Sequence, residues 1–140
     1  MNKNIIIVLI LQISFSCLSY ANEKICFPNS CVNVQVAQDE AALAQGINSK
    51  LSIKENEGLL NIVPSSNIAA FDAKGMHFAT DFIWLDENKK VVVIARDVAP
   101  CSDQVCPLFE PPLGGTPYVL QVSAGYAKKF GIKEGDQVKF

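Results

Sequence analysis

Apolar and polar residues alternate along Val32, Asn33, Val34, Gln35 and Val36, a period of two that predicts a half-buried strand. Residues 39–45 change to a helical pattern. Asp39 is placed to cap the start of that short helix and Gly46 to end it. A polar turn over 55–58 leads into a strand over 59–63, which stops at Pro64. The strongest strand signals are 81–85 and 91–95, joined by the polar hairpin loop 86–90. Residues 98–117, rich in proline, form a long ordered loop, the kind of segment where function often sits. A strand over 118–122, a helix over 123–130 ended by Gly131, a turn at Glu134 and Gly135, and a last strand over 137–140 close the chain. Many short strands with two brief helices predict a mainly β (α+β) fold. A small closed or partly closed β-barrel-like domain would leave no exposed edge strands.

The first 21 residues stand apart from this pattern. A mildly basic start at Lys3 precedes an uncharged run over 5–16, and Ser19 and Ala21 place small residues before a cut at Asn22. These are the parts of a secretory signal. The run is short for a spanning helix, which needs roughly 20 apolar residues. The expectation is an exported protein of the periplasm or extracellular space, a single domain over 22–140 with no transmembrane segment after cleavage. An uncleaved anchor and lipidation at Cys17 are the competing expectations.

Charge narrows the partner class. Removing residues 1–21 takes away one charge, Lys3, and leaves 119 residues with 11 basic and 14 acidic side chains, a net charge of −3 with His77 neutral. Nucleic acid wants a clustered basic face, and none is offered. No polybasic membrane patch is offered either.

Four cysteines remain in the mature chain, as two pairs of identical spacing, Cys26 with Cys31 and Cys101 with Cys106. In an oxidising compartment an even count in a small domain reads as disulfides. Four cysteines allow three pairings. Local bridges are favoured, because Pro28 with Asn29 and Ser102 with Asp103 can turn each cysteine back on its neighbour. A metal site is the alternative, since zinc ligands also come as closely spaced cysteine pairs. Export argues against it, so no metal is expected.

Several stretches together resemble the bacterial and archaeal family catalogued as domain of unknown function 192, over residues 32–140. Val34-Gln35-Val36-Ala37, leading into a helix ended by Gly46, is similar to the family's opening strand and helix. Phe71, Lys74, Phe78 and Asp81-Phe82-Ile83-Trp84-Leu85-Asp86 resemble its central hairpin. Pro100, Cys101, Cys106 and Pro107 resemble a two-cysteine loop found in part of the family. Tyr118-Val119-Leu120-Gln121-Val122 with Gly125, Gly131, Gly135 and Asp136 resembles its closing elements. The resemblance implies a compact barrel-like domain, often exported, and no activity to carry over. Two departures stand out. The family has an aromatic residue and Met between the Phe and the Lys, where this chain has Asp72 and Ala73. Its first helix ends Gly-Leu-Met before an Arg, where this chain has Gly46, Ile47, Asn48, Ser49 and Lys50.

Lys74, Asp81 and Trp84 are the candidate binding residues. A carboxylate among Phe78, Phe82 and Trp84 is costly unless it is paired or hydrogen-bonded. Lys74 is a possible partner for Asp81, and backbone N–H groups are the other. Trp84 is expected in the core or on a pocket wall. His77 is the single histidine, and the chain has no Gly-x-Ser-x-Gly elbow, P-loop or dinucleotide fingerprint. No cofactor is expected. The leading expectation is a monomeric, non-enzymatic binding or accessory protein with an unknown ligand or envelope protein as partner. The alternatives are an enzyme using Asp81 as acid or base, and an inhibitory module acting through the 98–117 loop.

Overall fold

A computed structural model describes residues 21–64, 70–111 and 115–140. The expected signal segment, apart from Ala21, lies outside the described residues, as do residues 112–114 of the long loop. Among the described residues eight strands form: β1 (Ala21–Phe27), β2 (Ser30–Ala37), β3 (Glu57–Ile62), β4 (Phe71–Asp72), β5 (Thr80–Leu85), β6 (Val91–Val98), β7 (Leu108–Phe109) and β8 (Tyr118–Ser123). Two short helices accompany them, α1 (Glu40–Gln45), continued by a 3-10 turn over Gly46–Ser49, and α2 (Tyr126–Lys129). The chain is mainly β, as its pattern predicts.

Six strands make one sheet in the order β1-β2-β3-β8-β5-β6, and β4 pairs with β7 as a separate ribbon. Only β2 and β3 run parallel, because α1 and its 3-10 turn carry the chain over between them. Both faces of the sheet are covered. One face buries Val34, Leu60, Ile83, Leu120 and Val122 against Tyr126 and Ile132. The other buries Leu59, Phe82, Trp84 and Val119 against Ala42, Ile47 and Met76. Strand β5 therefore has all six residues buried, alternating between two cores rather than between core and solvent.

The expected barrel does not close. β1 and β6 end the sheet, and the segment expected as a final strand over 137–140 forms only isolated bridges, Lys139 with Cys26 and Gln137 with Lys90. Lys139 exchanges both backbone hydrogen bonds with Cys26, at 2.9 and 3.0 Å, and Val138 N–H donates to Lys89 C=O at 2.9 Å. The tail touches both ends of the sheet without pairing along its length. The helix expected over 123–130 is also shorter. Ser123 still belongs to β8, and Gly125 at φ 85° separates that strand from α2. A left-handed residue does not continue a helix, and glycine adopts it without strain.

Strand β1 has no signature in the sequence pattern, because its first four residues are exposed. Its position follows from the turn. Phe27 faces Ser30 across the two-residue loop of Pro28 and Asn29, which sets Cys26 directly opposite Cys31.

Candidate functional site

Asp81 sits where β5 meets an irregularity in β6. Thr80 pairs with Val98 and Phe82 with Ala95, so Arg96 and Asp97 together oppose Asp81. Such a bulge leaves a backbone N–H without a ladder partner. Asp97, at φ 52°, turns that N–H to Asp81 Oδ1 at 2.9 Å. The same oxygen accepts from Gly125 N–H at 3.2 Å, and Oδ2 accepts from Ala127 N–H at 2.9 Å. Asp81 is 0 % exposed. It therefore closes the β6 bulge and caps the first turn of α2 from another element, satisfying three donors at once. Of the two partners expected for it, the backbone is the one the structure supplies.

Lys74 lies elsewhere. It is exposed, and its backbone forms an isolated bridge with Cys101. Its N–H donates to Asp72 Oδ1 at 2.9 Å and its C=O accepts from Asn48 Nδ2 at 3.0 Å. Trp84 is 1 % exposed and packs edge-on against Phe82, with ring centroids 5.9 Å apart. Its place is the second core. The three candidate residues thus do not converge: Asp81 belongs to one core, Trp84 to the other, and Lys74 to the surface.

What Lys74 does approach is the cysteine loop. Disulfides join Cys26 to Cys31 and Cys101 to Cys106. Cys101 N–H donates to Ala73 C=O at 3.0 Å, and β4 pairs Phe71 with Phe109. The loop is thereby held against residues 71–74 at two points. Between it and β6 runs a groove of about 430 Å³, with Arg96, Asp97, Pro100 and Phe109 on its walls. Val105 and Leu108 stand out from this loop, 86 % and 62 % exposed. Arg96 is tied back by a hydrogen bond from Nη2 to Ile132 C=O at 3.1 Å.

A second cavity, of about 300 Å³, opens on the other side of residues 71–74, under α1. Gly46, Ile47, Asn48, Asp72 and Lys74 all line it. The two stretches where the chain departs from the family pattern thus meet at one place. Sequence order could not reveal this, since 26 residues separate Asn48 from Lys74. Sequence reasoning also missed Gln121, which lines the same cavity from β8. Its signal was a polar residue inside an otherwise apolar strand. Among the described residues, no group of three or more His, Cys, Asp or Glu side chains is placed to hold a metal ion. Nor is any described helix long and apolar enough to cross a membrane.

Solved structures share this architecture. A proposed transcription regulator from Sinorhizobium meliloti superposes with a TM-score of 0.76 at 19% identity, over 87% of this chain and 95% of that one. A protein of unknown function from Novosphingobium aromaticivorans gives 0.72 at 22% identity, over 91% of this chain and 89% of that one. At such identities the likeness attests the fold alone. No curated protein matches the chain. The family DUF192, described as Uncharacterized ACR, COG1430, matches residues 24–140, and the chain belongs to it.

Proposed function

We propose that this is an exported, non-enzymatic binding protein of the periplasm or cell envelope. In this reading one domain follows a cleaved leader and works as a monomer. The observation that carries it is the cysteine loop. A disulfide, a hydrogen bond to Ala73 and the β4–β7 pairing hold its shape while Val105 and Leu108 remain exposed. Fixing a loop before it meets a partner lowers the ordering cost of binding, and exposed apolar side chains on it supply contact area. The two disulfides fit an oxidising compartment, and the leader pattern over 1–21 agrees with them. Asp81, the residue an acid–base enzyme would need, has no exposure and has both oxygens committed to backbone N–H groups. Transcription regulation, proposed for the Sinorhizobium protein, finds no support in charge, since the whole chain is net negative at −2.

A photo-crosslinking residue at position 105, introduced in cells, tests this. A discrete adduct in the envelope fraction, lost when Leu108→Lys is added, is the expected result. No adduct, or adducts indifferent to Leu108→Lys, would overturn the assignment of the loop. Intact mass gives the companion check: a chain beginning at Asn22 and gaining four hydrogens on reduction supports export with both disulfides.

A further inference from the structure

The second core carries two amides that an apolar sheet face does not need. On β3 and β8 the residues facing α1 are Leu59, Asn61, Val119 and Gln121, next to Phe82 and Trp84 on β5. Asn61 is 0 % exposed and Gln121 3 %. They bond to each other, Asn61 Nδ2 donating to Gln121 Oε1 at 2.9 Å and to Val119 C=O at 3.3 Å. This leaves Asn61 Oδ1 without a donor among the described residues. Gln121 meets Asn61 through Oε1, so its Nε2 is the end of the amide turned away from that pair. Buried amides are normally satisfied, and leaving one open costs more than replacing both with hydrocarbon. Gln121 is not sealed away, because it lines the cavity under α1. With Oε1 held by Asn61, the Nε2 edge is the part of the amide left for an incoming acceptor.

The rest of the cavity defines what that acceptor belongs to. Leu43, Ile47, Phe71 and Leu108 give it apolar walls, Gln45 and Asn48 add polar ones, and at its exposed rim Lys74 stands beside Asp72, whose Oδ1 is held by the Lys74 N–H. Among the described residues no carboxylate lies within ion-pair distance of Lys74 Nζ. At about 300 Å³ the space is at the small end of ligand-sized cavities. We propose that this cavity binds a small acylated carboxylate, such as an N-acyl amino acid. Its inner carbonyl accepts from Gln121 Nε2, its short apolar body lies along Phe71 and Ile47, and its carboxylate meets Lys74. Asn61 is a positioning residue, since it acts through Gln121. This site adjoins the cysteine-loop surface at Leu108, and its assignment does not rest on that surface's role.

Titration of the 15N-labelled protein with N-acetylglycine tests the proposal. Saturable shifts of the Gln121 side-chain amide are expected, with a Kd on the order of 1–10 mM for so small a probe. Propionate lacks the inner carbonyl and N-acetylglycinamide lacks the charge, so each binds more weakly. Lys74→Met weakens N-acetylglycine by about three- to fivefold, the scale of an exposed ion pair, and leaves N-acetylglycinamide unchanged. Gln121→Leu abolishes the shifts at Asn48 while the remaining spectrum stays dispersed. Should that variant not fold, Gln121→Met keeps the side-chain length, removes the donor without adding a charge and gives the same discrimination. No saturable shift up to about 50 mM in the wild type overturns the site. So does binding that survives loss of the Gln121 donor, or propionate binding as well as N-acetylglycine.

Discussion

Substituting Asp81 separates a structural carboxylate from a catalytic one. In Asp81→Ala three N–H groups lose their acceptor. Ala127 N–H is buried, whereas those of Asp97 and Gly125 are only partly so. An abandoned buried donor costs about 1–3 kcal/mol, with the upper end for bonds to a charged group. Taking about 2–3 kcal/mol for Ala127 and about 1 kcal/mol each for the two that water can reach, the loss is about 4–5 kcal/mol. That is a large share of the roughly 5–15 kcal/mol by which domains of this kind are stable. Asp81→Asn keeps Oδ1 for Asp97 and Gly125 and sets an NH₂ against Ala127 N–H, so its loss is about 2–3 kcal/mol. Urea unfolding measures both. The chain has one tryptophan, Trp84, buried on the same strand, and its fluorescence reports the transition. The expected order of midpoints is wild type, Asn, Ala, with unchanged slopes. Hydrogen exchange should show Ala127 losing protection in Asp81→Asn while Asp97 keeps it. An Asp81→Ala protein within about 1 kcal/mol of wild type would refute the capping role.

Three further outcomes follow from the fold. Removing the Cys26–Cys31 bridge as the double serine variant should cost about 2 kcal/mol in urea unfolding, because the closed loop is short; a loss above about 4 kcal/mol would mean that it holds more than the hairpin. Gly58→Ala should cost about 1–3 kcal/mol by the same measurement, since a Cβ there would lie 2.8 Å from Gln121 C=O and force β3 away from β8; an unchanged midpoint would show that the strands part freely. Burial raises the Tyr126 phenol above its ordinary 10.0, the Ser30 hydroxyl opposes this and the Glu55 charge adds to it. A raised value means stability held below about pH 10 and lost as pH climbs through the folded value. Among the described residues neither Tyr126 Oη nor Ser30 Oγ closes a hydrogen bond. Tyr126→Phe should therefore be near neutral at pH 7 and reduce the alkaline loss, and identical alkaline midpoints in the two proteins would sink this account.

The sequence by itself determined the elements and the local chemistry. Alternation at 32–36 and apolar runs at 81–85 and 91–95 place strands, since a pleated chain sends successive side chains to opposite faces. Asp39 caps α1 by accepting from Ala42 N–H at 2.8 Å, and both disulfides join cysteines five apart around a turn, because these contacts need only a few intervening residues. The order of motifs was enough for family membership. The tertiary structure decided whatever depends on distant partners. Asp81 could be read as paired with Lys74, capped or catalytic until β6 and α2 brought three N–H groups to it. β1 became a strand through its neighbour, not through its own pattern. The sheet stayed open because the tail makes bridges in place of a ladder. The cavity joining Asn48, Lys74 and Gln121 exists only once α1, β4 and β8 pack together, and no spacing along the chain encodes that meeting.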